Sequence, residues 1–212
     1  MPRIDFRKMH GLGNDFVVAD ARDRIVPITP KLTAALGDRR TGIGFDQLIL
    51  LERTRDPEAL VFMRIFNADG SEAGACGNAT RCVAMLIMDE TGAARVGIET
   101  VSGVLVATTA VGGLITVDMG PVRLRWRDIP LARACDTLSV PVGIAELGDA
   151  TCTSMGNPHA TFFVPDADAV DLARLGPILE THPIFPERAN IGIASLLAPG
   201  RLRLRVWERG AG

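Results

Sequence analysis

The sequence predicts an α+β protein made of two similar halves. Three observations favour this fold class: strand-like runs outnumber helical segments, a set of sequence features recurs in order, and low-complexity segments are absent from the 212 residues. The strand-like runs are short, apolar or alternating, and bounded by turn residues. They cover residues 4–9, 16–19, 48–51, 60–66, 104–109, 114–119, 160–164, 191–197 and 202–207.

Helical character is confined to three segments. The first opens at Thr29-Pro30, which is typical of an N-cap followed by the first helical position. The second carries apolar side chains at helical spacing and stops before Gly92, a C-terminal signal. The third contains Pro177, which is expected to kink the helix or end it early. The predicted helices span residues 30–39, 78–90 and 169–180.

An internal repeat divides the chain near Gly120-Pro121. In each half a Gly-Asn turn leads into an apolar strand, and a later strand ends at a polar residue; 53 positions separate Asn14 from Asn67, and 51 separate Asn157 from Glu208. We therefore predict two domains, with a small-molecule site in the cleft between them. The predicted domains are residues 1–120 and 121–212.

The repeat also predicts a second cysteine. Cys76 lies nine positions after Asn67. Nine positions after Glu208 is about residue 217, beyond Gly212, if the repeat continues. The C-terminal half is therefore expected to be incomplete and to fold poorly.

Composition argues against several classes of partner. The formal net charge is −2, tyrosine is absent and aromatic residues make up 5%, so a nucleic-acid-binding protein is not expected. No apolar run approaches membrane-spanning length, and the charged start of the chain does not resemble a signal peptide. We expect a cytoplasmic protein without nucleic-acid or membrane partners.

Neither a metal nor an organic cofactor is expected. The cysteines are not spaced as a structural zinc site, so they are expected to be free thiols. Lys8 and Lys31 are the only lysines, and neither is clearly placed for a pyridoxal phosphate Schiff base, with Lys8 near His10 the open alternative. Glycine loops of the nucleotide-binding type are also absent. The four cysteines are Cys76, Cys82, Cys135 and Cys152.

Cys76 is the strongest candidate for chemistry. A glycine-rich loop delivers it to the start of the second predicted helix, where unpaired backbone N–H groups favour negative charge. The pKa of this thiol is expected to fall, and the N–H groups of Gly77 and Asn78 could hold a carboxylate. The alternative is a buried structural cysteine in a glycine turn, which we expect for Cys82 on its apolar stripe.

Two polar clusters occur at repeat-related turns. Asparagine and arginine together suit a substrate that carries carboxylates and an ammonium group. Turn formation alone explains a single asparagine, but four at related positions favour a functional interpretation. His159 and Glu208 could tune a nearby thiol. One cluster comprises Asn14, Gln47, Asn67 and Asn78, and the other comprises Asn157, His159, Asn190, Glu208 and Arg209.

Four segments closely resemble the signature segments of the diaminopimelate epimerase family. They span nearly the whole chain in order: residues 9–16 (MHGLGNDF), 76–78 (CGN), 155–159 (MGNPH) and 207–212 (WERGAG). The resemblance implies two pseudo-symmetric α/β halves, each with a sheet wrapped around a central helix, and an active site between them. It also implies a possible homodimer and a cofactor-independent interconversion of LL- and meso-diaminopimelate in lysine and cell-wall synthesis.

The resemblance further implies a role for each site residue. Cys76 matches one of two cysteines that act as base and acid on opposite faces of the α-carbon. Glu208 is expected to contact the α-amino group, and the amides of Gly77 and Asn78 the α-carboxylate. The family's second cysteine segment would follow residue 212, so this chain is expected not to epimerise as written. Asn67, Asn157, Asn190 and Arg209 are expected to bind the distal end of the substrate, and Asn14, Gln47 and His159 match further active-site positions.

Three other functions stay open. A proline racemase-like enzyme would also use paired cysteines, although Arg209 favours a dicarboxylate substrate. A hydrolase could use Cys76 as nucleophile and His159 as base. A binding protein without activity would retain only part of the site.

Overall fold

The computed structural model describes residues 4–210 and has an α+β architecture. The chain forms two compact units, residues 1–120 and 121–212. Within residues 4–210, no helix is both long and apolar enough to cross a membrane.

The first unit contains one eight-stranded sheet and two α-helices. The sheet has the order β1-β2-β3-β4-β6-β7-β8, and β5 pairs with β4. A 3-10 turn at Val111–Gly113 precedes β8. The elements are β1 (Phe6–Gly11), β2 (Asn14–Asp20), α1 (Pro30–Gly37), β3 (Gln47–Glu52), β4 (Val61–Asn67), β5 (Glu72–Ala73), α2 (Gly77–Thr91), β6 (Arg95–Thr100), β7 (Gly103–Thr109) and β8 (Ile115–Asp118).

Helix α2 forms the centre of the first unit. It contacts β1 and β2 on one side and β6, β7 and β8 on the other, so the sheet curves around it. Its buried face, which includes Val83 and Ile87, packs on sheet residues such as Ile49, Met63 and Ile65. Helix α1 lies beside a smaller cluster around Phe45. The apolar stripe of α2 thus forms the main core, as its helical spacing predicts.

The second unit contains a four-stranded sheet and one described α-helix. The sheet has the order β12-β11-β10-β9, and α3 packs on β11 and β12. Its core joins the sheet and α3 to Ile129, Leu131 and Val140 from the segment before β9. The elements are β9 (Thr151–Ser154), β10 (Pro158–Phe163), α3 (Leu172–Glu180), β11 (Asn190–Ala198) and β12 (Arg201–Trp207).

Both units repeat one strand-pairing pattern. Strands β1 and β2 form an antiparallel pair, β2 and β3 are parallel, and β3 and β4 are antiparallel. Strands β9 to β12 pair in the same order and sense. Gly13 and Gly156 occupy equivalent turns, and each has a φ of 99°, a conformation that favours glycine. The repeat predicted from the sequence is therefore present in the strand pairing.

The predicted elements are found, with three additional strands and several shifted boundaries. Strand β1 spans Phe6–Gly11 rather than residues 4–9, and α1 ends at Gly37 rather than at residue 39. Strands β5, β6 and β9 were not predicted, because they are short or combine glycine, charged and hydroxyl residues without an apolar run. The prediction that the third helix starts at residue 169 is wrong. It starts at Leu172, because the Asp171 side chain accepts from Arg174 N and caps it there. It also continues past Pro177 to Glu180.

Gly97 in β6 allows a close backbone contact, which leads to a stability prediction. An added Cβ would lie 2.0 Å from the backbone oxygen of Glu58, and Leu60 N donates to Gly97 O at 2.9 Å. Gly97→Ala is therefore expected to lower the free energy of unfolding by about 3 kcal/mol in urea titrations. Gly92→Ala, with φ +72° but open space, is the control at about 1 kcal/mol. Equal losses in the two variants would contradict the prediction.

Candidate active site

Each cluster of predicted site residues gathers at one end of its own sheet. Strands β2 and β3 run parallel and begin at Asn14 and Gln47, while antiparallel β4 ends at Asn67 opposite Gln47. In the second unit, β10 and β11 begin beside His159 and Asn190. Because parallel strands start at the same edge of a sheet and an antiparallel neighbour ends there, the side chains of each cluster converge.

Cys76 lies at the N-cap of α2. Its backbone is extended, with φ −148° and ψ 109°, and Gly77 opens the helix. The Cys76 carbonyl accepts hydrogen bonds from Thr80 N at 2.9 Å and Thr80 Oγ1 at 2.8 Å. The first N–H groups of a helix have no partner within it, so those of Gly77 and Asn78 are directed out of the helix end beside the thiol. The predicted position of Cys76 at a helix start is confirmed.

The other cysteines have different surroundings. Cys82 is 6% exposed and Cys152 is 0% exposed, so both are core residues. Burial raises the pKa of Cys82, and the nearby Arg81 opposes this. Burial, with Cys135 adding to it, raises the pKa of Cys152 to about 12. These two thiols therefore stay protonated near neutral pH, and Cys82 has the core role predicted for it.

A chain of amides connects the start of β2 to the start of α2. Asn78 Nδ2 donates to Asn14 Oδ1 at 2.6 Å, and Asn14 Nδ2 approaches Asp46 Oδ2 at 3.4 Å. At the other end, Arg81 donates to Asn78 Oδ1. A carboxylate only accepts and a guanidinium only donates, so both ends of this chain fix the same orientation of the two amides.

Two basic residues support the carboxylate end of that chain. Arg39 Nη2 contacts Asp15 Oδ1 and Asp46 Oδ1, each at 2.7 Å, and Lys8 Nζ lies 2.7 Å from Asp15 Oδ2. The hydrogen bond from Arg39, aided by Lys8, holds the pKa of Asp15 far below its usual range, although burial opposes the shift. Lys8, the open alternative for a Schiff base, thus forms an ion pair with Asp15.

A second chain connects Asn67 to Gln47. Gln47 Nε2 donates to Asn67 Oδ1 and Asn67 Nδ2 donates to Ser71 Oγ, both at 3.0 Å. Ser71 Oγ in turn donates to Asp69 Oδ1 at 2.6 Å. Gln47 Oε1 is buried and has no hydrogen-bond partner among residues 4–210. A buried acceptor of this kind calls for a functional explanation.

The second cluster begins at the turn before β10. His159 Nε2 lies 2.9 Å from Asn157 Oδ1. Because the carbonyl oxygen only accepts, His159 Nε2 carries the proton in this contact. Asn190 Nδ2 donates to Pro158 O at 3.0 Å, and Asn190 Oδ1 accepts from Arg209 N at 2.9 Å. Asn190 therefore joins the start of β10 to the segment after β12.

Glu208 and Arg209 lie between two contacts with one buried carboxylate. Glu180 is 7% exposed. Its Oε2 accepts from Trp207 Nε1 at 2.8 Å, and its Oε1 accepts from Gly210 N at 3.0 Å. Burial lowers the pKa of Arg209, and its Nη1 donates to a backbone oxygen at 3.1 Å. The predicted WERGAG segment is thus fixed on both sides of Glu208, while residues 211 and 212 lie outside the described residues.

Sequence reasoning missed four supporting residues. Some lie near predicted site residues in the sequence and others are distant in the chain. The role of each depends on tertiary contacts, which the sequence does not show. A sequence signal exists only for Ser71, since in an Asp-Gly-Ser turn the aspartate side chain, here that of Asp69, accepts from the backbone N–H two residues later. The missed residues are Asp46, Ser71, Arg81 and Glu180.

The half-buried His159 predicts a pH dependence of stability. Burial, aided by the charge of Arg209, lowers the pKa of His159 below its ordinary value of 6.5. As the pH falls, the unfolded chain therefore binds the proton before the folded chain does, and the folded state loses stability. The contribution of His159 to the free energy of unfolding is expected to be complete above pH 6.5. It is expected to decline as the pH falls through the lower pKa that His159 has in the folded chain.

Urea unfolding between about pH 7.5 and pH 5 measures this dependence. His159→Gln is expected to flatten it, and His10→Gln, which changes an exposed ring, is the matched control. An equally steep decline in His159→Gln and the unmodified chain would contradict the assignment.

Comparisons with known proteins agree with this architecture. A protein-family model described as diaminopimelate epimerase matches residues 6–125 and 151–212. A diaminopimelate epimerase from Rhodospirillum centenum is 60% identical over 207 residues, which are 98% of this chain and 71% of that protein. One from Acidiphilium cryptum is 55% identical over 207 residues, with 98% and 74% covered.

Solved structures of other enzymes share the fold. A hydroxyproline epimerase from Agrobacterium vitis matches with a TM-score of 0.66 and 16% identity over 96% of this chain and 69% of that one. A probable proline racemase from Agrobacterium radiobacter has a TM-score of 0.68 and 18% identity, with 96% and 70% covered. These likenesses confirm the predicted α+β fold class. The match to the family model and the identity to the two relatives show that the chain is an isomerase of the diaminopimelate epimerase family.

Proposed function

We propose that this isomerase interconverts LL- and meso-diaminopimelate without a cofactor, as a step of lysine and cell-wall synthesis. The position of Cys76 is the observation that carries the proposal. A cysteine flanked by glycine at a helix start combines a group that can accept a proton with N–H donors for the adjacent carboxylate. The names of the relatives supply the substrate.

Cys76 is proposed to exchange the α-proton on one face of the substrate. Removing an α-proton without a cofactor leaves negative charge on the carboxylate. Preorganised donors stabilise such charge at low cost, and the N–H groups of Gly77 and Asn78 are suited to this. The Asn14–Asn78 hydrogen bond at 2.6 Å holds the second of these residues in place.

The second cluster is proposed to bind substrate through its charged and amide groups. Arg209 suits a carboxylate, which it can bind through two parallel hydrogen bonds. Glu208 suits an ammonium group. The lowered pKa of His159 keeps its ring neutral at physiological pH, so it can form a hydrogen bond to the substrate without adding charge to the site. Asn67, Asn157 and Asn190 are proposed to bind the distal end of the substrate with Arg209.

Inversion requires a proton donor on the face opposite Cys76. By family analogy that donor is a second cysteine. The buried thiols of Cys82 and Cys152 are poorly suited to the role, because burial raises the pKa of each. A homodimer in the cytoplasm is a further prediction that rests on the resemblance.

Incubation with LL-diaminopimelate in D2O, followed by NMR of the α-proton, tests the proposal. Deuterium incorporation with inversion is expected when an acid or base acts on each face of the α-carbon. Incorporation with retention is expected when Cys76 acts alone. L-proline in the same assay tests the racemase alternative, and a thioester or amide substrate tests the hydrolase alternative. Binding of diaminopimelate without any exchange of the α-proton would indicate a binding protein rather than an enzyme.

A further inference from the structure

The buried oxygen of Gln47 points to a ligand group that donates a hydrogen bond. Gln47 Oε1 has no partner among residues 4–210, although the Nε2 of the same amide donates to Asn67 at 3.0 Å. A buried acceptor without a partner is costly, and a ligand donor would satisfy it. We propose that Asp69 and Ser71 determine substrate specificity, because they orient Gln47 so that its oxygen accepts from the distal ammonium group. This inference rests on the proposed function.

The orientation begins at Asp69. Its carboxylate only accepts, so the Ser71 hydroxyl, 2.6 Å from Asp69 Oδ1, must direct its proton there. Ser71 N also donates to Asp69 Oδ1, at 2.9 Å. With its proton committed, Ser71 Oγ can only accept from its other neighbour. The Asn67 side chain must therefore present its nitrogen to Ser71, and their separation of 3.0 Å fits such a bond.

Asn67 passes this orientation on to Gln47. When the nitrogen of Asn67 faces Ser71, its oxygen faces Gln47 and requires a donor there. Gln47 supplies Nε2, which leaves Oε1 as the group presented to a ligand. The reversed Gln47 amide would bring two carbonyl oxygens together. Asn67 is only 9% exposed, so solvent has little access to relax the arrangement.

The chain of hydrogen bonds selects for an ammonium group. An acceptor oxygen attracts a charged N–H donor and repels a carboxylate, so the fixed orientation distinguishes the two ends of an amino-acid head group. The turn formed by residues 67–71 is held in place by two contacts. Asn67 N donates to Ser71 O at 2.8 Å, and Gly70 packs so closely that an added Cβ would lie 2.4 Å from Pro30 O. Asp69 and Ser71 are positioning residues, since they act through Asn67 and Gln47.

Calorimetric binding of two ligands to the whole chain tests the proposal. LL-diaminopimelate carries the distal ammonium group, and 2-aminopimelate lacks it. The unmodified chain is expected to prefer diaminopimelate, and Ser71→Ala and Asp69→Asn are each expected to reduce that preference about tenfold. Ser71→Thr keeps a hydroxyl and is expected to keep the preference. A merely structural role would weaken both ligands equally, so an unchanged ratio in both variants overturns the proposal.

NMR of the side-chain amides separates this inference from the proposed function. In the unmodified chain, the Gln47 Nε2 protons are expected to be protected from exchange with solvent, and Ser71→Ala is expected to remove the protection while Ser71→Thr retains it. If the chain binds neither ligand, the proposed function fails. The protection of the Gln47 Nε2 protons from exchange then tests the orienting role on its own. Unchanged Gln47 protection in Ser71→Ala then overturns the orienting role.

Discussion

Cys76→Ala is expected to lower the rate of α-deuterium incorporation into diaminopimelate by at least about 10²- to 10⁴-fold, the usual contribution of a positioned acid or base. The substitution removes the only thiol placed at the start of a described α-helix, where N–H groups are proposed to stabilise the thiolate and the developing carboxylate charge. The measurement is the NMR exchange assay in D2O.

Cys135→Ala is the matched control. Cys135 is also a partly exposed cysteine, but it lies in the irregular segment before β9 rather than at a helix start. This variant is expected to exchange at the rate of the unmodified chain. Cys76→Ser tests the thiol itself, because serine keeps the shape while its hydroxyl is a far weaker acid. Retention of full exchange in Cys76→Ala would remove Cys76 from the mechanism.

The fold was largely predictable because its signals are local. The apolar stripe of α2, Thr29 as N-cap and Gly92 as C-cap are all readable from short windows, and the structure confirms them. The repeat was readable because the equivalent turns each place a glycine at positive φ, at Gly13 and Gly156, directly before an asparagine. Strand β6 was missed because Gly97 interrupts its apolar pattern, and that glycine is explained only by contact with Glu58 from a distant segment.

The site was predictable in its members but not in its connections. Glycine flanks mark Cys76, and the repeat marks each asparagine. The hydrogen bond between Asn14 and Asn78, however, spans 64 positions, and the one between Asn14 and Asp46 spans 32. No short window contains both partners of such a bond. The orientation of each amide therefore becomes apparent only after the strands have been paired.

Glu180→Leu is expected to lower the free energy of unfolding by about 3 kcal/mol or more. Glu180 is buried and its carboxylate satisfies Trp207 Nε1 and Gly210 N. Arg188 Nη1 also lies 3.6 Å away. Leucine fills similar space but leaves both N–H groups without an acceptor in a closely packed region, where a Cβ on Gly176 would lie 2.4 Å from the Trp207 ring.

Urea unfolding followed by tryptophan fluorescence measures the loss, because Trp207 is one of the donors that Glu180 satisfies. Glu187→Leu removes an exposed glutamate from the segment between α3 and β11 and is expected to change the free energy of unfolding by less than about 0.5 kcal/mol. Glu180→Gln keeps one acceptor oxygen but places an amide nitrogen against the other donor, so an intermediate loss is expected.

Since Glu208 and Arg209 lie between the two donors, the same variants should also weaken diaminopimelate binding, Glu180→Leu more than Glu180→Gln. Stability of Glu180→Leu that matches that of Glu187→Leu, together with binding that matches that of the unmodified chain, would show that Glu180 anchors neither Glu208 nor Arg209.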